Sequence, residues 1–399
     1  MFIGKNLEYV RKLNALSRKE LSEKINVSEQ AIWQYETKNM MPEISKIYDM
    51  TSIFNVKSSY FISEQPEELL INSVDKHSIA FRAKNYKVST KLLNKQYYQA
   101  MYLSNLTSYL FSFVTIPDNI ILSLINNLDE LLNGNLESLN KKESIKEIAK
   151  VVRAKILQDE SNEALLFMLE KAGIVIYEKR INDSIDAYSF WSKDQTPFII
   201  LGTNRGVAVR RNFDLAHELG HLVLHRHIQF DLLSPEEYKT IEHEADIFAS
   251  EFLLPEEAFK KDFDQMTKKS NPDYLAVLKE KWYVSIQAIA MRAYYLGLMS
   301  STQYRYFWAS LNKKGYKSKE PLDDVIEMSR PVKMNSLLKL YFDRNILTPQ
   351  KLLNYLKVDE TFLNHLAGIN LKLFKDYVVK SRLLCKMLYN VFTISTYQN

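Results

Sequence analysis

Apolar positions recur at helical spacing over most of this chain, and the exceptions cluster in one place. Short helical patterns follow one another over residues 1–63, and the run Gln65-Pro-Glu-Glu breaks them and predicts a linker. Residues 67–150 continue as irregular helix, with a polar stretch over 133–143 before Ile145, Ile148, Val151, Val152 and Ile156 resume the helical period. The period then shortens to that of strands. Residues 173–177 (Gly-Ile-Val-Ile-Tyr), 186–190 (Asp-Ala-Tyr-Ser-Phe) and 197–201 (Pro-Phe-Ile-Ile-Leu) are β-branched or aromatic runs between polar turns. An amphipathic helix over 212–225 follows, and Ser234-Pro-Glu-Glu opens another that ends at Pro255. Residues 270–399 return to helical spacing. The pattern predicts a mainly α chain with a small α+β core, divided into an N-terminal domain (1–65), a helical connector (66–149), a core of three-stranded sheet plus helix (150–265) and a C-terminal helical region (266–399).

Length supports the division, because 399 residues exceed the size at which one hydrophobic core keeps growing. No apolar run reaches the roughly 18 to 20 residues that span a bilayer, and residues 1–10 lack the charged-then-apolar layout of a signal peptide. The expected setting is cytoplasmic, with no membrane partner. The single cysteine, Cys385, forms no internal disulfide and removes cysteine-based zinc sites from consideration, so a metal would be held by histidines and carboxylates. A net charge of +5 permits nucleic-acid binding without requiring it.

The residues 213–221, Phe-Asp-Leu-Ala-His-Glu-Leu-Gly-His, contain H-E-x-x-H. Histidines four apart sit on one helix face about 6 Å apart along the axis, so His217 and His221 can reach one zinc ion. Glu218, beside the first of them, is placed to take a proton from metal-activated water and pass it to a leaving amine. Five of the seven histidines fall over 217–243, so spacing must select the third ligand. On a continuous helix His225 would be about 12 Å and 80° from His217, which makes it a packing or supporting residue. The next helix offers Glu242-His-Glu-Ala-Asp246, with Glu242 and Asp246 one turn apart on one face. Glu242 can complete the ligand set while Asp246 accepts the outer N–H of a ligating histidine. Glu244 is rotated about 200° from Glu242 and points elsewhere.

These residues, with Glu-x-x-Ala-Asp-x-Phe-Ala-x-x-x-Leu-Leu-Pro downstream, resemble the ImmA/IrrE metallopeptidases over about residues 150–262. Leu254 replaces the methionine common before the final proline. The resemblance implies a zincin-like fold and a gluzincin-type Zn2+ site that cleaves repressor-type proteins, carried by His217, Glu218, His221 and Glu242.

Residues 17–36 read as two short helices with Ser17 and Ser28 as N-caps, and Asn26 in a tight turn that wants a left-handed backbone. Leu21, Ile25, Val27, Ile32 and Tyr35 form the expected inner face, leaving Glu29, Gln30, Trp33 and Gln34 outward. Over residues 5–62 this spacing resembles the XRE, Cro-repressor-like helix-turn-helix family, with Thr37 standing where its members usually carry glycine. The resemblance implies a five-helix head on a double-stranded DNA operator, with Ser28, Glu29, Gln30 and Trp33 facing bases and Arg18, Lys38 and Asn39 on phosphates. Such heads commonly pair, so a homodimer is plausible. The competing reading is a helical bundle for protein docking. Nine Lys or Arg against eight Asp or Glu over residues 1–65 is a weak electrostatic footprint for a DNA binder.

Residues 278–299 repeat a helix, turn, Ser285 cap, helix pattern, which reads as a unit packed on the core or, less simply, as a second DNA-reading element. Residues 331–399 specify packing and no chemistry. His77 and His365 stand apart from other ligand types and read as structural. Two functions follow: a zinc endopeptidase joined to a DNA-binding head and acting on a repressor, with strand 197–201 aligning the substrate backbone, or a non-enzymatic regulator or antitoxin whose zinc is structural.

Overall fold

Helix caps set the boundaries of the N-terminal helices. The computed structural model describes residues 1–83, 90–117, 119–131, 140–158, 161–181, 185–203 and 206–377; Cys385 and part of the polar 133–143 stretch lie outside them. Helices α1 (Gly4–Leu13), α2 (Arg18–Ile25), α3 (Glu29–Lys38), α4 (Ile44–Phe54) and α5 (Ser59–Ile62) make the expected five-helix head. Ser17 and Glu20 form a reciprocal capping box, and Ser28 Oγ accepts the Ala31 amide at 3.1 Å. Asn26, Asn39 and Asn55 end α2, α3 and α4 in the left-handed region, a conformation asparagine tolerates well. Leu21, Ile25, Ile32 and Tyr35 are buried as expected, while Val27 is half-buried.

Two polar features lock the head. A Cβ on Gly4 would lie 2.1 Å from the Tyr35 carbonyl oxygen, so only glycine lets α1 begin against the end of α3. The fully buried Glu36 carboxylate receives Arg11 Nε at 2.5 Å and Arg18 Nε at 2.7 Å.

The chain forms two compact units, each discontinuous in sequence: Met1–Ser73 with Val88–Ile116 and Val332–Asn399, and Val74–Lys87 with Pro117–Pro331. The stretches read from the sequence as connector and C-terminal region therefore divide between units. In the first unit the Thr90–Phe111 helix lies on α1, where Gln99 Nε2 donates to the Leu13 carbonyl at 3.0 Å. Helices Lys333–Asp343, Pro349–Leu356 and Glu360–Ala367 belong to the same core. Tyr355 stacks on Tyr109 at 4.3 Å, and Val358 bridges Val56. The apolar spacing over residues 333–367 serves this packing.

The second unit holds the sheet. The three expected strands are β2 (Val175–Lys179), β3 (Ile185–Trp191) and β4 (Pro197–Gly202), and a fourth, β1 (Ala80–Ala83), joins them in the order β1-β3-β4-β2. β1 pairs antiparallel with β3, β3 antiparallel with β4, and β4 parallel with β2. This corrects one expectation. Strand 197–201 was to align a substrate backbone, but β4 is paired on both sides and every residue in it is buried, the mark of a central strand.

Helix Ala208–Leu224 carries H-E-x-x-H and packs on β3 and β4; helix Pro235–Leu253, opened by the Ser234 capping box, packs on it. Helices Pro272–Trp282 and Ile286–Tyr295 follow the expected turn, with Tyr283 left-handed and Ser285 as cap. Leu275, Leu278, Ile286 and Ile289 share one core with Leu215, Leu219, Phe248 and Phe252. Buried Lys279 meets Glu320 at 3.0 Å and Asp323 at 2.5 Å, and Glu320 also accepts the Ile286 amide at 2.9 Å. No helix among the described residues is long and apolar enough to cross a membrane.

Candidate metal centre

The helical repeat sets His217 and His221 on one face, and their Nε2 atoms stand 3.1 Å apart. Glu242 enters from the facing helix, Oε2 lying 3.4 Å from His217 Nε2 and Oε1 3.3 Å from His221 Nε2. The close approach of the two helices has a cause in the sequence. A Cβ on Gly220 would come within 3.2 Å of the Phe248 ring and 3.3 Å of Ala245 Cα, so glycine in H-E-L-G-H and alanine in E-H-E-A-D let the backbones meet.

Hydrogen bonds orient both imidazoles. His217 Nδ1 lies 2.9 Å from Asp246 Oδ1, the partner expected from the E-x-x-x-D spacing. With that nitrogen donating its proton, Nε2 keeps a lone pair toward Glu242. His221 Nδ1 lies 3.0 Å from Nδ1 of His225, whose Nε2 lies 3.2 Å from Glu244 Oε2, and Glu244 is paired in turn with Lys141. His225 is the helix C-cap, and it still stands one turn after His221, which sets their rings side by side. Glu244 does point away from Glu242, toward His225.

Burial drives the His221 imidazole down to about 4 against the opposing pull of Glu242, and it drives His225 down as well. Burial would raise the Glu242 carboxyl, but the two imidazoles beside it outweigh that and hold it well below the carboxylate range. Two imidazoles and one carboxylate therefore converge, with ligand atoms all within 4.8 Å of one another. Such a donor set fits a divalent cation: nitrogen and oxygen ligands at roughly 2.0 to 2.2 Å in a tetrahedron stand about 3.4 Å apart, and the separations here are 3.1 to 3.4 Å.

Glu218 is not one of the three clustered residues. It is fully buried, and Oε2 accepts a hydrogen bond from Ser189 Oγ at 2.7 Å. Sequence reasoning missed Ser189. The signal that could have found it is the strand's two-residue period: Ser189 and Trp191 share the face toward the H-E-x-x-H helix, where Trp191 Nε1 donates to the Leu222 carbonyl at 3.1 Å. After that helix, Phe230 stands edge-on to His221, with ring centroids 5.7 Å apart. The next residue, Asp231, lies 2.5 Å from Nδ1 of His77, so His77 is not isolated.

On the head, Ser28, Glu29 and Gln30 are exposed at the start of α3, and Trp33 is half-buried with Lys38 Nζ 5.7 Å over its ring. Arg18 and Asn39 are engaged within the head, Arg18 by Glu36 and Asn39 Oδ1 by the Gly4 amide at 2.8 Å.

Two stretches match known families. Residues 169–294 match the IrrE N-terminal-like domain of the M78 peptidases, and residues 7–61 match a helix-turn-helix. The first match includes both helices of the candidate site and runs into the Ile286–Tyr295 helix, so the chain joins a helix-turn-helix head to a peptidase-type domain. No curated protein matches the chain.

Proposed function

We propose that this protein is a zinc-dependent endopeptidase acting on a protein substrate, of repressor type by the resemblance above, and that its head binds double-stranded DNA. The observation that carries the reading is the convergence of His217, His221 and Glu242 beside a buried Glu218. When bound, the ion supplies Lewis acidity toward water and a peptide carbonyl. Asp246 and the His225–Glu244 pair fix the imidazoles. Glu218, oriented by Ser189, accepts a proton from the attacking water as the carbon–oxygen bond forms. It returns that proton to the amine nitrogen as the carbon–nitrogen bond breaks. Incubation of candidate repressors with the wild-type chain and with Glu218→Gln, followed by intact-mass analysis, tests the reading. New fragments with the wild type alone support it, and equal cleavage by both removes Glu218 from its role.

On the head, Ser28, Glu29, Gln30 and Trp33 are the proposed base-facing set and Lys38 a phosphate contact. Arg18 and Asn39 serve the packing of the head first. Operator affinity should fall steeply with salt.

A second reading, a regulator whose metal only stabilises the fold, draws on one observation: Glu218 and His217 are both 0% exposed. Under that reading, metal removal lowers thermal stability and no substrate is cut.

A further inference from the structure

Val74 and residues 80–83 pair antiparallel with the outer edge of β3, and the turn Lys76–Ser78 lies between them. Val74 bridges Ser192, Ala80 opposes Ser189, Phe81 opposes Tyr188 and Ala83 opposes Ile185, with the register slipping between 81 and 83. Midway, the turn Lys76–Ser78 meets the loop after the H-E-x-x-H helix through His77 and Asp231, beside the Phe230 that faces His221. One short stretch thus touches the strand that orients Glu218 and the loop against a metal-site histidine. It also lies outside residues 169–294, the part matching the peptidase-type domain.

Resting on the peptidase reading, we propose that the outer edge of β3 is the docking edge for an extended polypeptide substrate, and that residues 74–83 occupy it in the resting protein as a displaceable cover. A strand edge presents alternating N–H and C=O groups, which an extended chain of almost any sequence can satisfy. β4 has no free edge, and the outer edge of β2 is two strands further from Ser189, about 9 to 10 Å at normal strand spacing. The edge of β3 is different. Ser189 is both the partner of Glu218 and the residue opposite Ala80, so a chain docked there passes about one strand spacing, roughly 4.8 Å, from the residue that holds the base. The cover is short, four residues with a register slip, and so small a pairing opens far more readily than the core.

The test uses the zinc-loaded full-length chain and two probes: acetohydroxamate, which has no peptide backbone, and a tripeptide hydroxamate, which has one. Hydrogen exchange is followed over residues 74–83, and affinities are compared between wild type and Phe81→Pro, which removes one backbone donor from the cover. Both probes should bind, but only the tripeptide should speed exchange in 74–83. Phe81→Pro should bind the tripeptide about tenfold more tightly, the gain expected if the edge is open about a tenth of the time in the wild type, and acetohydroxamate equally well. Tripeptide binding without faster exchange in the wild type overturns the inference even if the proline variant fails to fold. If neither probe binds, the peptidase reading falls and this inference falls with it.

Discussion

Ser189 Oγ donates to Glu218 Oε2 at 2.7 Å, joining strand and helix residues 29 positions apart. A bond from a neutral hydroxyl to a carboxylate contributes about 1.5 to 3 kcal/mol, so losing it should let the base turn out of line. Ser189→Ala should lower kcat about 10- to 100-fold and leave zinc affinity unchanged, with partial recovery in Ser189→Thr. Steady-state kinetics with a zinc titration checks this, and an unchanged kcat, or a fall in zinc affinity to match, would refute the assignment.

The partners of the two imidazoles make a separate prediction. Asp246→Asn and His225→Ala each disturb the tautomer or orientation of a ligand without removing one, and such changes cost about 10- to 100-fold in metal affinity. Competition with a chelating dye measures it. Wild-type affinity in both variants would reduce the Asp246 and His225 contacts to packing.

The i, i+4 spacing of His217 and His221, the one-turn offset of Glu242 and Asp246, the serine caps and the left-handed Asn26 were all legible because each is a local consequence of helix geometry. Ser189 was not, since its partner is remote in sequence. Nor was β1, because Ala-Phe-Arg-Ala is too short to show a period and becomes a strand only through β3. The supporting role of His225 was legible from its distance to His217, whereas its link to Glu244 on the facing helix was not. Arg18 and Asn39 were phosphate contacts by resemblance alone, and their bonds to Glu36 and Gly4 join residues too remote in sequence to be read from it.

Acid should weaken the metal-free protein. Between the ordinary imidazole value of 6.5 and about 4 for folded His221, the unfolded chain takes up a proton that the folded chain refuses. The unfolded state then binds more protons, so stability falls as pH falls through that window. His225 acts in the same direction, and so does Glu242 below its ordinary value of 4.5, being held ionised in the fold. Urea unfolding of metal-free protein at several pH values should give a midpoint that drops steadily across this range; a flat profile would contradict the buried, neutral state of these histidines.

In the head, Glu36→Gln should be costly. It removes the charge between Arg11 and Arg18 while leaving the Arg11 side chain only 8% exposed. Breaking a buried pair costs roughly 3 to 5 kcal/mol, and the partly exposed Arg18 adds little because water screens it. Chemical denaturation followed by Trp33 fluorescence, with Trp191, Trp282 and Trp308 replaced by phenylalanine in both proteins, should show a loss of about 3 kcal/mol, and a loss under about 1 kcal/mol would mean the Arg11–Glu36 pair does not hold α1 to α3.

The account depends most on the donor triangle of two imidazoles and one carboxylate. Zinc content per chain, measured after equilibration with excess zinc and removal of unbound metal, addresses it directly in wild type and Glu242→Ala. One zinc per wild-type chain, and little or none retained by the variant, is the predicted result. Equal and full occupancy in both would contradict it.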